Sequence, residues 1–333
     1  MRKLYLLYII LLSASFSFAG KYAASFLELG IGARALGMGN AHVALSDDAY
    51  GFYWNPSGMA FLNNFQAASM RADLFNSLEQ QNFVSAAMPV FGGVTVALSW
   101  VRLSVDDIPR YQSEGLLLDA SQRYAGNKPL IDESKDSFSA SNDAFVLSFA
   151  KYQRVMVDLG WQYFEFPIDF GYGVNFKMIN ESLDQNNGSG VGIDLGVLLK
   201  MGLSNVFNDE NYGDLMFGLN AQDIAETKIT WDTASKRKDT IERNFKFGFA
   251  YMQPLNFMNS QLTMAFDLDS RYSGASHLGS ELLYDSFLAI RMGSNESKLT
   301  IGAGVYLWKF RADYALQGHD LGDSHRVSIL FNL

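Results

Sequence analysis

From Phe170 onward every second residue is large and apolar: Phe170, Tyr172, Val174, Phe176 and Met178. Between them fall Asp169, Gly171, Gly173, Asn175 and Lys177. A strand has a side-chain period of two, so this stretch presents one apolar face and one polar or small face. The pattern recurs from about residue 65 to Leu333. A soluble sheet can show it by packing one face on a core. Many segments of about ten residues, with large apolar residues on one side and Gly, Ser, Asn or charges on the other, instead mark a transmembrane β-barrel, where lipid replaces the core.

Composition narrows the alternatives. Hydrophobic residues make up 48% of the 333 positions. Beyond the N-terminus, however, no stretch reaches the roughly 18 consecutive apolar residues of a membrane-spanning helix. The chain has no cysteine, which excludes disulfides, thiolate metal sites and cysteine nucleophiles. Arg2 and Lys3, the apolar Leu4 to Leu12, and Ser17-Phe18-Ala19 before Gly20 form a secretory signal pattern. Cleavage there is expected to remove two positive charges and no acids, taking the formal charge from -9 to -11. So acidic a chain is a poor nucleic-acid binder. The expected division is a signal peptide at 1–19, a plug segment at 20–63 and an outer-membrane barrel at 64–333.

Fourteen strand segments follow from the alternation: 65–72, 81–89, 94–102, 143–151, 168–179, 188–200, 214–220, 243–252, 260–269, 277–284, 286–293, 298–307, 309–317 and 324–333. An even count places both barrel ends in the periplasm, with short turns there and longer loops outside. The odd-numbered, outward connections then include Leu103–Asn142, a polar loop, and Ala221–Glu242. The even ones include Phe91-Gly92-Gly93, Asp285 and Trp308, with Tyr152–Pro167 and Met201–Gly213 longer than the rule prefers. The last segment carries Val327, Ile329, Phe331 and Leu333 on one face, as a closing strand requires.

Residues Lys21 to Leu62 do not alternate. Gly30, Gly32, Gly37, Met38 and Gly39 stand in a Gly- and Ala-rich run around Arg34, followed by Asp47-Asp48-Ala49 and Trp54-Asn55-Pro56-Ser57-Gly58. Asn55 before Pro56 fits a helix start, because Asn caps and Pro is tolerated in the first turn. Such a segment fits inside a fourteen-strand lumen as a plug. The run Phe26 to Ala60, about a tenth of the chain, resembles the PorV/PorQ family of outer-membrane proteins, relatives of the FadL-type transporters. Ser57 and Met59 stand where Ala and Leu are usual. The resemblance implies a fourteen-strand barrel and, in characterised members, a role in type IX secretion.

Alternation also points Asp169, Lys177, Asp194, Lys246, Asp267, Asp269, Arg291, Arg311 and Asp313 into the lumen. With both signs present, they read as a network holding plug to wall, which Arg34 can join. Asn175 is expected on the same inner face, hydrated. No catalytic residue, cofactor or metal site is expected, since His42, His277, His319 and His325 lack metal-ligand spacing. The expected function is a docking or shuttle component of a type IX-like secretion system. Its partners would be secreted proteins or other secretion components at the outer loops, besides outer-membrane lipid and lipopolysaccharide. The alternative is a FadL-like passive transporter of hydrophobic small molecules.

Overall fold

The computed structural model describes residues 23–74, 78–110, 136–158, 160, 165–255, 259–271, 275–318 and 323–333. The expected signal peptide, and Tyr111 and Leu116–Leu118 of the long outer connection, lie outside them. The wall opens with β1 (Gln66–Leu74), β2 (Glu79–Val90) and β3 (Val94–Arg110). Then come β4 (Asp136–Asp158), β5 (Glu165–Leu183), β6 (Asn186–Gly202) and β7 (Asp214–Gln222). A hairpin of β8 (Thr227–Trp231) and β9 (Lys238–Ile241) interrupts the wall, which resumes with β10 (Asn244–Leu255) and β11 (Ser260–Asp269). It is completed by β12 (Ala275–Tyr284), β13 (Leu288–Asn295), β14 (Lys298–Leu307), β15 (Phe310–Gln317) and β16 (Ser324–Asn332). Wall neighbours pair antiparallel, and β16 closes on β1 from Gln66↔Asn332 to Asp73↔His325. The fold is therefore a closed antiparallel barrel of fourteen strands.

The alternation explains it. On β4, Phe145, Leu147 and Phe149 face outward and exposed, while Ala144, Val146, Ser148 and Ala150 are buried inside. Each of the fourteen alternating segments falls on a wall strand, but the strands run further than the pattern. The connection expected at Leu103–Asn142 is strand as far as Arg110 and again from Asp136, and that at Tyr152–Pro167 is strand to Asp158 and from Glu165. About 9–11 tilted residues cross a membrane, so the 23 residues of β4 and 19 of β5 continue beyond it. Past the lipid the outer face no longer needs to be apolar, and the period-2 signal fades while the ladder persists. The connection at Ala221–Glu242 is likewise structured, by the β8–β9 hairpin. Met201–Gly213 holds a helical turn at Leu203–Phe207.

Residues 23–62 occupy the barrel interior. A 3-10 turn at Ser25–Glu28 sits near the outer end, where Glu28 pairs with Arg271 at 2.7 Å. Short helices at Ala33–Gly37 and Gly51–Trp54 and a 3-10 helix at Pro56–Phe61 follow. The segment leaves at the other end, where Leu333 N–H donates to the Phe65 carbonyl at 2.9 Å.

Candidate functional site: a plugged lumen with two unlike halves

The plug touches the wall backbone to backbone. A Cβ on Gly37 would lie 3.0 Å from Gly302 Cα, and Met38 lies over Gly279 and Gly293. Gly39 has φ of 65°, and a Cβ there would sit 2.5 Å from Ser294 N, so no other residue fits. Asn55 is fully buried. Its amide donates to the Val43 and Val197 carbonyls, both at 3.1 Å, and its Oδ1 accepts from Ser57 N–H at 3.2 Å, capping the Pro56–Phe61 turn. Pro56 packs against wall Gly173 and Gly196. A Cβ on Gly58 would collide with Ser46 O at 1.9 Å. Gly30 and Gly32 hold left-handed φ near the rings of Tyr53 and Tyr50: the Gly30 N–H donates to Tyr53 Oη at 3.0 Å.

Along β12, β13 and β15 the lumen is charged. Arg34 clasps Glu281 through Nη2 at 2.9 Å and Nε at 3.1 Å, and reaches Asp47 at 3.2 Å. Glu281 also takes Arg291 Nε. Arg291 Nη1 lies 2.8 Å from Asp313 Oδ1 in an ion pair whose N–H is poorly aimed. Arg311 then bridges Asp313, at 2.8 Å, to Asp48 of the plug, at 2.7 Å. Arg34, Arg291 and Arg311 thus balance Glu281, Asp313 and Asp48, all six buried.

Two smaller sets lie beside this chain. Lys177 is 2.7 Å from Asp194 and 2.8 Å from Asp223. Lys246 pairs with Asp269 at 3.0 Å, and Asp267 accepts the plug N–H groups of His42 and Val43 at 2.7 and 2.8 Å. Asp169 stands apart, at the barrel end opposite Glu28, paired to Arg154 at 2.6 Å. Asn175 is buried, not hydrated. Its amide donates to Phe52 O at 2.6 Å and to Asp194 at 3.0 Å, because the plug displaces the water that an open lumen would hold.

Along β1 to β4 the same inner face is mostly apolar, with Gln81, Ser85, Thr95, Ser99 and Ser148 as its buried polar members. Met70, Leu74, Phe83, Val101 and Val146 are buried there, joined by Ile179 of β5 and by Ile229 and Ile241 of the hairpin. They pack on Phe26, Tyr50, Phe52 and Tyr53 of the plug; Phe52 stacks on Phe83 at 5.4 Å. Here the plug is held mainly by contact area, with scattered hydrogen bonds: Arg326 donates to the Leu29 and Gly30 carbonyls, Gln81 Nε2 to the Gly30 carbonyl at 3.2 Å, Tyr50 Oη to the Ile329 carbonyl at 3.1 Å, and the Ala49 N–H to Gln66 Oε1 at 3.0 Å.

Glu281, Asp223 and Arg326 are participants that the sequence reading passed over. Glu281 and Arg326 alternate with outward apolar neighbours, Leu282 and Val327, so strand parity marks them. Asp223 lies past the end of β7, where parity says nothing. Within the plug, burial pushes the His42 imidazole down to about 3, with the Arg34 charge adding to it. Burial alone would raise the Asp48 carboxyl, but the Arg311 guanidinium outweighs it and holds it below the usual range.

No protein-family profile matches the sequence, and no curated protein does either. In three dimensions the P. putida toluene transporter TodX superposes with a TM-score of 0.52 and 10% identity, over 91% of this chain and 99% of that one. A FadL homologue of Pseudomonas aeruginosa gives 0.45 and 8%, over 90% and 96%. The likeness to TodX is one of fold, and it makes this chain a barrel of the bacterial outer-membrane kind.

Proposed function

We propose that the barrel passes hydrophobic small molecules across the outer membrane, between the plug and the inner face of β1–β4. The observation that carries this is the apolar lining of that half. A water-filled pore needs a polar lumen, whereas Phe83, Val101 and Val146 offer nothing to water. An apolar solute entering there gains about 25 cal/mol per Å² removed from water. The opposite half anchors the plug through ion pairs, so a shift opening the apolar side leaves the anchor in place. The fold shared with a toluene transporter supports the same direction.

The docking role in type IX-like secretion rests on the Phe26–Ala60 resemblance and the outer connections. The fold likeness favours transport over it. The test is uptake of radiolabelled toluene by cells in which this barrel is the sole hydrocarbon route. Uptake should rise several-fold over cells without the barrel and fall to background with Val101→Asp, while glucose entry stays unchanged. A barrel that admits glucose as readily, or ignores Val101→Asp, refutes the proposal. Unchanged toluene uptake with loss of secreted proteins on deletion favours docking.

A further inference from the structure

Across β3 to β6 the lipid-facing surface ends on one cross-strand row. Trp100 stands opposite Phe145, Phe145 opposite Met178, and Met178 opposite Val191. The last three are 41, 48 and 76% exposed, as side chains against lipid are in an isolated barrel. Two residues further outward the same face turns polar all at once. Arg102, Asp143, Asn180 and Ser189 form the next row, and Ser189 continues it to Thr230 of the hairpin. The row beyond is Ser104, Ser141, Ser182 and Asn187. There the Asn187 N–H donates to Asp232 at 2.7 Å, joining the hairpin again.

Each row advances roughly 7 Å along the strand. The two polar rows therefore stand at the height of lipid headgroups, directly above the acyl-chain zone. The hairpin makes this surface concave. It takes over from β7 as the partner of β6, at Gly188 and Ser189, and carries the sheet outward beyond the wall. The resulting groove has a volume of about 780 Å³ and is lined by Ser141, Asp143, Asn180, Ser182, Ser189 and Thr230 among others.

The lining selects a chemistry. Hydroxyls and amides dominate, and two of the carboxylates already have partners. Asp143 accepts from Trp100 Nε1 at 2.9 Å and lies 3.6 Å from Arg102, while Asp232 is taken by Asn187. An apolar ligand would strand these hydroxyls, and a phosphate would meet more carboxylates than cations, because Asp143, Glu181 and Asp232 line the groove with Lys236 alone opposing them. Sugar hydroxyls match it, each able to donate and accept. Trp100, at the border with its N–H turned toward the polar row, is placed as an interfacial anchor.

We propose that this groove holds the sugar head of an outer-leaflet glycolipid, whose acyl chains run down past Phe145, Met178 and Val191. The inference concerns the outer surface and stands independently of what crosses the lumen. The test is native mass spectrometry of the detergent-purified barrel with three probes: a rough lipopolysaccharide carrying core sugars, lipid A without them, and the free core oligosaccharide. Wild type should retain the lipopolysaccharide at least tenfold better than lipid A. Asn180→Leu with Thr230→Val should remove that advantage, leaving lipid A binding unchanged. Heat-modifiable gel mobility checks folding, and Thr230→Val alone, on a hairpin outside the wall, serves if the double variant fails to assemble. Equal retention of lipopolysaccharide by wild type and variant overturns the proposal. So does lipid A binding that falls in parallel, which would assign the groove to phosphate. Free oligosaccharide bound as tightly as the anchored form overturns the lipid assignment in favour of a soluble sugar.

Discussion

The inner faces of β1–β4 and of β12–β15 enclose one plug and hold it by different physics. On the charged side the contacts are directional: Arg34 fits Glu281 as a two-pronged pair, and Arg311 fixes Asp48. A one-residue slip would leave buried charges facing no partner, which is far costlier than the net gain of the pairs. That side therefore sets where the plug sits. On the apolar side Phe52 on Phe83 and its neighbours gain by area, and area tolerates sliding. A plug hinged on one side and yielding on the other follows from this difference.

The largest expected effect breaks the charged side. Glu281→Ala leaves Arg34 and Arg291 buried without the carboxylate they share. Removing one partner of a buried pair costs about 3–5 kcal/mol. The variant should lose heat-modifiable mobility at a lower temperature, and single channels in planar bilayers should open where wild type stays closed. Wild-type stability and silent bilayers would mean that the network does not anchor the plug.

Acid acts on the charged side as well, through His42, whose backbone N–H donates to Asp267 at 2.7 Å and whose ring stands edge-on to Trp54 at 6.1 Å. Held at about 3 by burial, it stays neutral in the fold, while the unfolded chain takes up a proton below its ordinary value of 6.5. A depressed base pKa therefore lowers stability as pH falls from 6.5 toward 3, by up to about 1.4 kcal/mol per pH unit. His42's own share is the difference between wild type and His42→Gln. Melting in detergent at pH 7 and pH 5 should show a steeper acid loss for wild type. Identical slopes would place His42 in contact with water.

What the sequence could show of this depended on where lipid imposed a pattern. Phe245, Phe247 and Phe249 must face outward, and their spacing located β10 without help. The inward charges Arg291, Arg311 and Asp313 were legible by the same parity, and so in principle was Glu281. The apolar half was not legible. Trp100-Val101-Arg102-Leu103 carries Val101 and Leu103 inward and Arg102 outward, which inverts the rule. An inverted stretch looks like the end of a strand, so β3 seemed to stop where its inner face became interesting. The plug motif marked which backbone packs closely, but glycines name no partners. That Gly39 meets Ser294, and Asn55 the Val197 carbonyl, depends on pairings across the whole barrel.

The smallest effect sharpens the apolar side. Ile179 is fully buried on β5 beside the hairpin's Ile229 and the plug, and it makes no directional contact. Ile179→Val removes one methylene from a packed surface and should cost about 0.5–1.5 kcal/mol. Because Ile179 itself makes no hydrogen bond, the plug can settle toward the gap, so the loss should lie nearer the lower figure. Single-channel recordings should remain silent, since the Arg34–Glu281 pair is untouched, while toluene uptake should hold or rise as the apolar seam loosens. A destabilisation as large as that of Glu281→Ala would show that the apolar side positions the plug no less rigidly than the charged one, and the two halves would then differ in composition but not in role.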